Sequence, residues 1–156
     1  MRSLAFAFLM TAIAISANSQ SNFKRNFLYA EAGGTGMTLS VNYERQLASK
    51  PGLGVHVGVG LGGELPVIPM GLKYLFPLRN PKSSIETGLG ICLIDKEFLD
   101  NNSIAYPSTH YVAAIIPSAG YRHQTNYGLM WRANFTPVLS KTRSFPFAGV
   151  SLGWAL

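Results

Sequence analysis

Few side chains in this chain are equipped for chemistry, and their spacing argues against catalysis. The three histidines stand in His56-Val57-Gly58, His110-Tyr111-Val112 and His123-Gln124-Thr125. None forms the His-x-Ser pair that one known type of lipid A deacylase uses on a lipid-facing strand. His110 lies near Ser108 and Asp100, a loose echo of a surface palmitoyltransferase constellation, but these residue types are common and an ordinary loop histidine is the simpler reading. Cys92 is the single cysteine, so no intrachain disulfide or cysteine-based zinc site is expected. The acids between Asp95 and Asp100 are too sparse for a calcium loop. The glycine-rich run at 53–62 lacks the Lys-Ser/Thr and the following helix of a phosphate loop. The expectation is no enzyme, no metal site and no cofactor.

The charged residues follow a different logic. Glu31, Glu44, Lys73, Glu86, Arg122 and Arg132 each sit opposite an apolar face in a two-residue alternation, and His56 shares that parity. The alternation is clearest in LGVHVGVGLG, residues 53–62. Leu53, Val55, Val57, Val59 and Leu61 fall on one side, and Gly54, His56, Gly58, Gly60 and Gly62 fall on the other. Successive strand side chains point to opposite faces. One face is wholly apolar and the other nearly bare. That suits a narrow barrel whose outside meets lipid. On this reading Val57→Arg should be costly and Gly58→Ser far better tolerated.

Eight such segments are expected, at 27–32, 37–47, 53–62, 67–76, 84–94, 110–123, 127–139 and 147–156, separated by turn signals. Thr38 is expected inward in the second. The sixth is apolar on both faces around Val112, Ala114 and Ile116, so its alternation is imperfect.

Composition agrees. Charged residues make up 13% of the chain, against about 25% in soluble domains. Residues 1–19 read as a signal peptide: Arg2, an apolar run from Leu4 to Ile15, then Ala17-Asn18-Ser19 before a cut. That run falls short of the roughly 20 residues of a spanning helix. No later stretch could span as a helix, which leaves a closed β-barrel over 20–156 as the membrane solution. A soluble sandwich or lipocalin-like barrel would need polar outward faces.

An even strand count puts both termini at the periplasmic end. Connections 48–52, 77–82 and 124–126 are then periplasmic, and 33–36, 63–66, 95–109 and 140–146 extracellular. Three inward acids meet three inward bases in a lumen just wide enough for side chains to fill. Paired charges and a closed polar interior follow, with Glu86 expected to pair with Lys73 and Arg122. Lys24, Arg25, Arg45, Lys50, Arg79 and Lys82 gather at the periplasmic side with no acid among them, placed to meet lipid headgroups. The basic balance therefore reflects a membrane flank, and nucleic acid is not an expected partner.

The blocks LSVNYERQL (39–47), IPMGLKYLFP (68–77), SSIETGLGICLI (83–94), SAGYRHQTNYGLMWRANFTPVL (118–139) and FPFAGVSLGWAL (145–156) resemble a family of small, uncharacterised outer-membrane β-barrel proteins of Gram-negative bacteria. The resemblance covers almost all of 20–156 and implies no substrate or catalytic residue. The last strand also resembles the signal read by the barrel assembly machinery, although Leu156 stands where an aromatic is usual. The fold expected is all-β: an eight-stranded antiparallel up-and-down transmembrane barrel. The expected role is structural or interactive, through extracellular loops whose ligand the sequence does not name. A narrow channel for water or small ions is the alternative, and a lipid-modifying barrel the third reading.

Overall fold

The computed structural model describes residues 23–61, 66–95, 111–140 and 144–156. The expected signal peptide and most of the 95–109 connection lie outside them. Among the described residues there are ten strands: β1 (Asn26–Gly33), β2 (Leu39–Gln46), β3 (Leu53–Leu61), β4 (Pro66–Pro77), β5 (Ser83–Asp95), β6 (Tyr111–Gln124), β7 (Leu129–Phe135), β8 (Val138–Leu139), β9 (Ser144–Phe145) and β10 (Ala148–Ala155). They make eight staves. β7 and β8 hold one register along β6, because Ala119 pairs with Phe135 and Ile115 with Leu139. β9 and β10 are likewise one line against β8 and β7.

Neighbouring staves are antiparallel, and β1 pairs with β10 to close the sheet on itself. Closure demands a stagger between first and last staves. It is visible in the pairs Leu53–Tyr74, Tyr74–Thr87, Thr87–Ala119, Ala119–Phe135 and Phe135–Ala148. That path starts beside the 48–52 turn and finishes at the opposite end of the barrel. The end carrying the turns at 47–52, 78–82 and 125–128, with both ends of the barrel sequence, is called the terminal rim here. The other is the loop rim.

The face assignment follows the sequence alternation. Val57, Val59, Leu72, Leu89, Ile115, Val150 and Leu152 are all about half exposed on the outer wall. Their inward neighbours are buried, or half-buried where they are the glycines 58, 71, 88 and 153. The seventh segment, expected as one strand over 127–139, is broken at Pro137, and Ser144–Phe145, expected within the 140–146 loop, pairs with Val138–Leu139 as β9. Pro137 and Pro146 lie opposite each other, and a proline has no N–H for a ladder. Thr136 N–H still donates to the Phe147 carbonyl at 2.8 Å.

The second strand begins at Leu39 and not at 37. Met37 has φ 64°, a left-handed conformation that breaks the alternation. Its side chain is wholly buried and Thr38 is exposed, reversing the inward placement expected for Thr38. Gly58 also departs from expectation. A Cβ there would lie 2.7 Å from the Val41 carbonyl oxygen and collide with Asn42 Oδ1. The bare inner face of β3 is close backbone approach, so Gly58→Ser will destabilise.

Candidate functional site in the barrel lumen

The lumen is filled in two storeys. Toward the terminal rim, inward positions of six strands deliver Glu31, Glu44, Lys73, Glu86, Arg122 and Arg132, each no more than 2% exposed. The Arg132 guanidinium is the hub. Its Nη1 donates to Glu86 Oε1 at 3.1 Å and Glu44 Oε2 at 3.4 Å. Its Nη2 donates to Glu31 Oε1 at 3.0 Å, and its Nε to Ser151 Oγ at 3.0 Å. Arg122 Nη1 donates to Glu44 Oε1 and, at 3.5 Å, to Glu86 Oε2. Lys73 Nζ lies 3.4 Å from Glu86 and 3.7 Å from Glu44, and donates to Tyr29 OH at 3.2 Å.

Glu86 thus meets the two bases expected for it and a third, Arg132. Glu44 is shared by the same three cations from the facing wall. Arg122 and Arg132 are direct cross-strand partners, an arrangement that repels unless acid lies between them. Glu44 and Glu86 supply it. The result is a brace across the barrel in which acids and bases balance and no ion is left unpaired.

Polar neighbours complete the set. Thr35, Asn134 and Ser151 donate to Glu31, and Gln46 donates to Glu44. Aromatic faces floor it: the Arg122 guanidinium carbon is 4.3 Å from the Phe27 ring centroid, and that of Arg132 is 4.2 Å from the Tyr29 centroid. Tyr29, Thr35, Gln46, Asn134 and Ser151 were not singled out in the sequence. For the four that lie in strands, the inward parity alone would have found them. His56 is buried in the same wall between Glu44 and Gly71. Neither of its ring nitrogens has a partner among the described residues, so its place in the lumen is steric and not a link in the ion network.

The upper storey is apolar. Met37, Val67, Cys92, Ile94, Ala114, Ile116 and Val138 form one buried cluster, with Val112, Phe145 and Phe147 against it. This explains the imperfect alternation of the sixth segment, whose inner face here lines an apolar core. The 33–36 connection was expected as an extracellular turn. Instead its 3-10 turn (Gly34–Gly36) is buried, with Met37 driven into the apolar cluster. Thr35 ties the turn to Glu31 at 2.9 Å, joining the two storeys.

Met37 therefore combines burial with a strained backbone. The account predicts an inverted substitution order, read from urea midpoints. Met37→Ala keeps the strain and loses buried contact, costing about 2–5 kcal/mol. Met37→Gly loses the same contact but relieves about 1–3 kcal/mol of strain, so it should be the milder change. Glycine proving worse than alanine would contradict this.

A second polar cluster lies on the outer wall at the terminal rim. Ser83 Oγ is 2.7 Å from Tyr121 OH and 3.1 Å from His123 Nδ1. These partners are paired across β5 and β6 and lie far apart in sequence, which is why no short motif revealed them. The pair resembles a nucleophile and base only in type. Ser83 is 4% exposed, and no carboxylate among the described residues is bonded to His123 to orient it. With the Trp131 ring tilted against Tyr121 and His123 at centroid distances of 5.4 and 5.9 Å, the cluster anchors an aromatic girdle. No metal-binding group of histidine, cysteine and acids occurs among the described residues. The His110, Ser108 and Asp100 set lies outside them.

With this geometry in hand, solved structures give a clear likeness. The chain superposes on the N-terminal β-barrel domain of Pseudomonas aeruginosa OprF with a TM-score of 0.55 at 10% identity, covering 86% of this chain and 98% of that one. It superposes on the Yersinia pestis outer membrane protein Ail, solved in a phospholipid bilayer nanodisc, with a TM-score of 0.54 at 8% identity, covering 85% and 99%. The fold is that of an eight-stranded outer-membrane barrel. No family model and no curated relative matches the chain, so the likeness is one of architecture. The resemblance to an uncharacterised family of small barrels stands at the level of fold alone.

Proposed function

We propose that this chain is an integral outer-membrane β-barrel of a Gram-negative bacterium, with a closed interior and a structural or surface-interaction role carried by its loops. The observation that supports it most is the pairing of a lipid-compatible outer wall with a lumen filled by side chains. Half-exposed Leu, Val and Ile residues cover the outside, while all six inward ions are neutralised within. A soluble protein exposing such a wall would aggregate. Residues 1–19 act as the secretory signal and are removed, and the barrel assembly machinery inserts the remainder. The lumen is a structural network, and no catalytic role is assigned to it.

Fractionation tests this directly. The protein should sediment with outer membranes and show heat-modifiable migration in detergent gels. Recovery as a soluble periplasmic species would overturn the proposal.

A further inference from the structure

The charges of this barrel are sorted by height. Of the seven acids, Glu31, Glu44 and Glu86 are inside the lumen against Lys73, Arg122 and Arg132. Asp95 ends β5 at the loop rim, and Glu64, Glu97 and Asp100 fall in sequence between strands that meet there. Lys96, Lys141 and Arg143 fall in sequence within the same set of connections. The terminal rim holds Lys24, Arg25, Arg45, Lys50, Arg79 and Lys82, with no aspartate or glutamate. The excess positive charge of residues 20–156 is therefore carried on one ring.

That ring sits at a definite depth. Just inside it, the outward positions carry Tyr43, Tyr74, Phe76, Tyr121, Trp131 and Trp154, with Tyr74 and Phe76 centroids 4.6 Å apart. Such girdles lie at the headgroup level of a bilayer. Lys82 adjoins Ser83, the start of β5, and its carbonyl accepts from Gln124 N–H at 2.7 Å. The 78–82 turn is held by Ser83 N–H donating to the Asn80 carbonyl at 2.9 Å and Lys82 N–H to Asn80 Oδ1 at 3.0 Å. Arg25 donates to the Gln46 and Leu47 carbonyls, which fixes its guanidinium at the end of β2. Lys24, Lys50, Arg79 and Lys82 are exposed, and among the described residues no aspartate or glutamate forms an ion pair with them. Cations held at the phosphate level with no acidic side chain beside them favour lipids with a net negative headgroup over zwitterionic ones.

We propose that the terminal rim is a binding surface for anionic phospholipid headgroups, of the phosphatidylglycerol or cardiolipin class, in the leaflet that faces it. This rests on the membrane reading above and adds a lipid preference to it. Net-neutral lipids satisfy the aromatic girdle equally well, so charge selectivity is the property that the ring adds.

The test uses the full barrel in nanodiscs of equal phosphatidylglycerol and phosphatidylcholine at 0.15 M salt, with the lipids retained around the protein counted by native mass spectrometry. The wild type should hold phosphatidylglycerol enriched about threefold or more over the bulk ratio. K24Q/K50Q/R79Q/K82Q, checked for folding by heat-modifiable migration, should bring the ratio to about one. K141Q/R143Q, in the connection between β8 and β9, should keep the wild-type ratio. A wild-type ratio of one, or an enrichment that survives the fourfold variant, would overturn the lipid preference while leaving the membrane reading in place. Recovery of the protein outside the discs would overturn both.

Discussion

Arg132→Met will destabilise the barrel by about 3–5 kcal/mol, the cost of removing one partner from a buried ion group. Among the described residues Arg132 is the one cation within ion-pair distance of Glu31, and it also holds Glu44 and Glu86. Its loss leaves three carboxylates facing two cations in a site closed to solvent. Methionine fills the space without restoring charge. A second change then becomes informative. Glu31→Gln added to Arg132→Met restores the balance of acids and bases and should recover part of the loss. Such coupling between direct contacts is commonly 0.5–3 kcal/mol. Urea unfolding of the refolded barrel in phospholipid vesicles reads both. Strict additivity would mean that the two residues do not act on one another.

On the outer wall, Val57→Arg should cost about 2–4 kcal/mol, the range for a cation facing bilayer hydrocarbon near its middle. Val57 is 50% exposed, flanked by Val55 and Val59 on the same face. Val57→Leu keeps the surface apolar and should unfold close to the wild-type midpoint. Gly58→Ser is not a neutral control, because the added atom crowds the Val41 carbonyl. If arginine and leucine at 57 proved equally stable, this wall would not meet lipid.

The barrel was largely legible from alternation, since a two-residue period is a property of the strand itself. All eight staves, their faces and the inward placement of the charged residues follow from it. What escaped was contact across the lumen. Nothing in sequence spacing brings Glu44 to Arg122 and Arg132, because the curvature that faces β2 toward β6 and β7 is set by closure of the whole sheet. Local backbone exceptions escaped too. Met37 adopts a conformation that glycine usually supplies, so a turn that reads as glycine-rich and external folds inward. The breaks at Pro137 and Pro146 were readable as prolines, but their alignment opposite each other needed the register. The apolar inner face of β6 looked like noise in the alternation. It is one wall of the upper storey.

The central claim is that two stacked plugs close this lumen, one ionic and one apolar. Planar-bilayer recording tests it most directly. The wild-type barrel should show little or no steady conductance, and Glu86→Ala, which opens the ionic brace, should be where any increase appears. Large, stable currents through the wild type would contradict the closed interior and favour a channel for water or small ions.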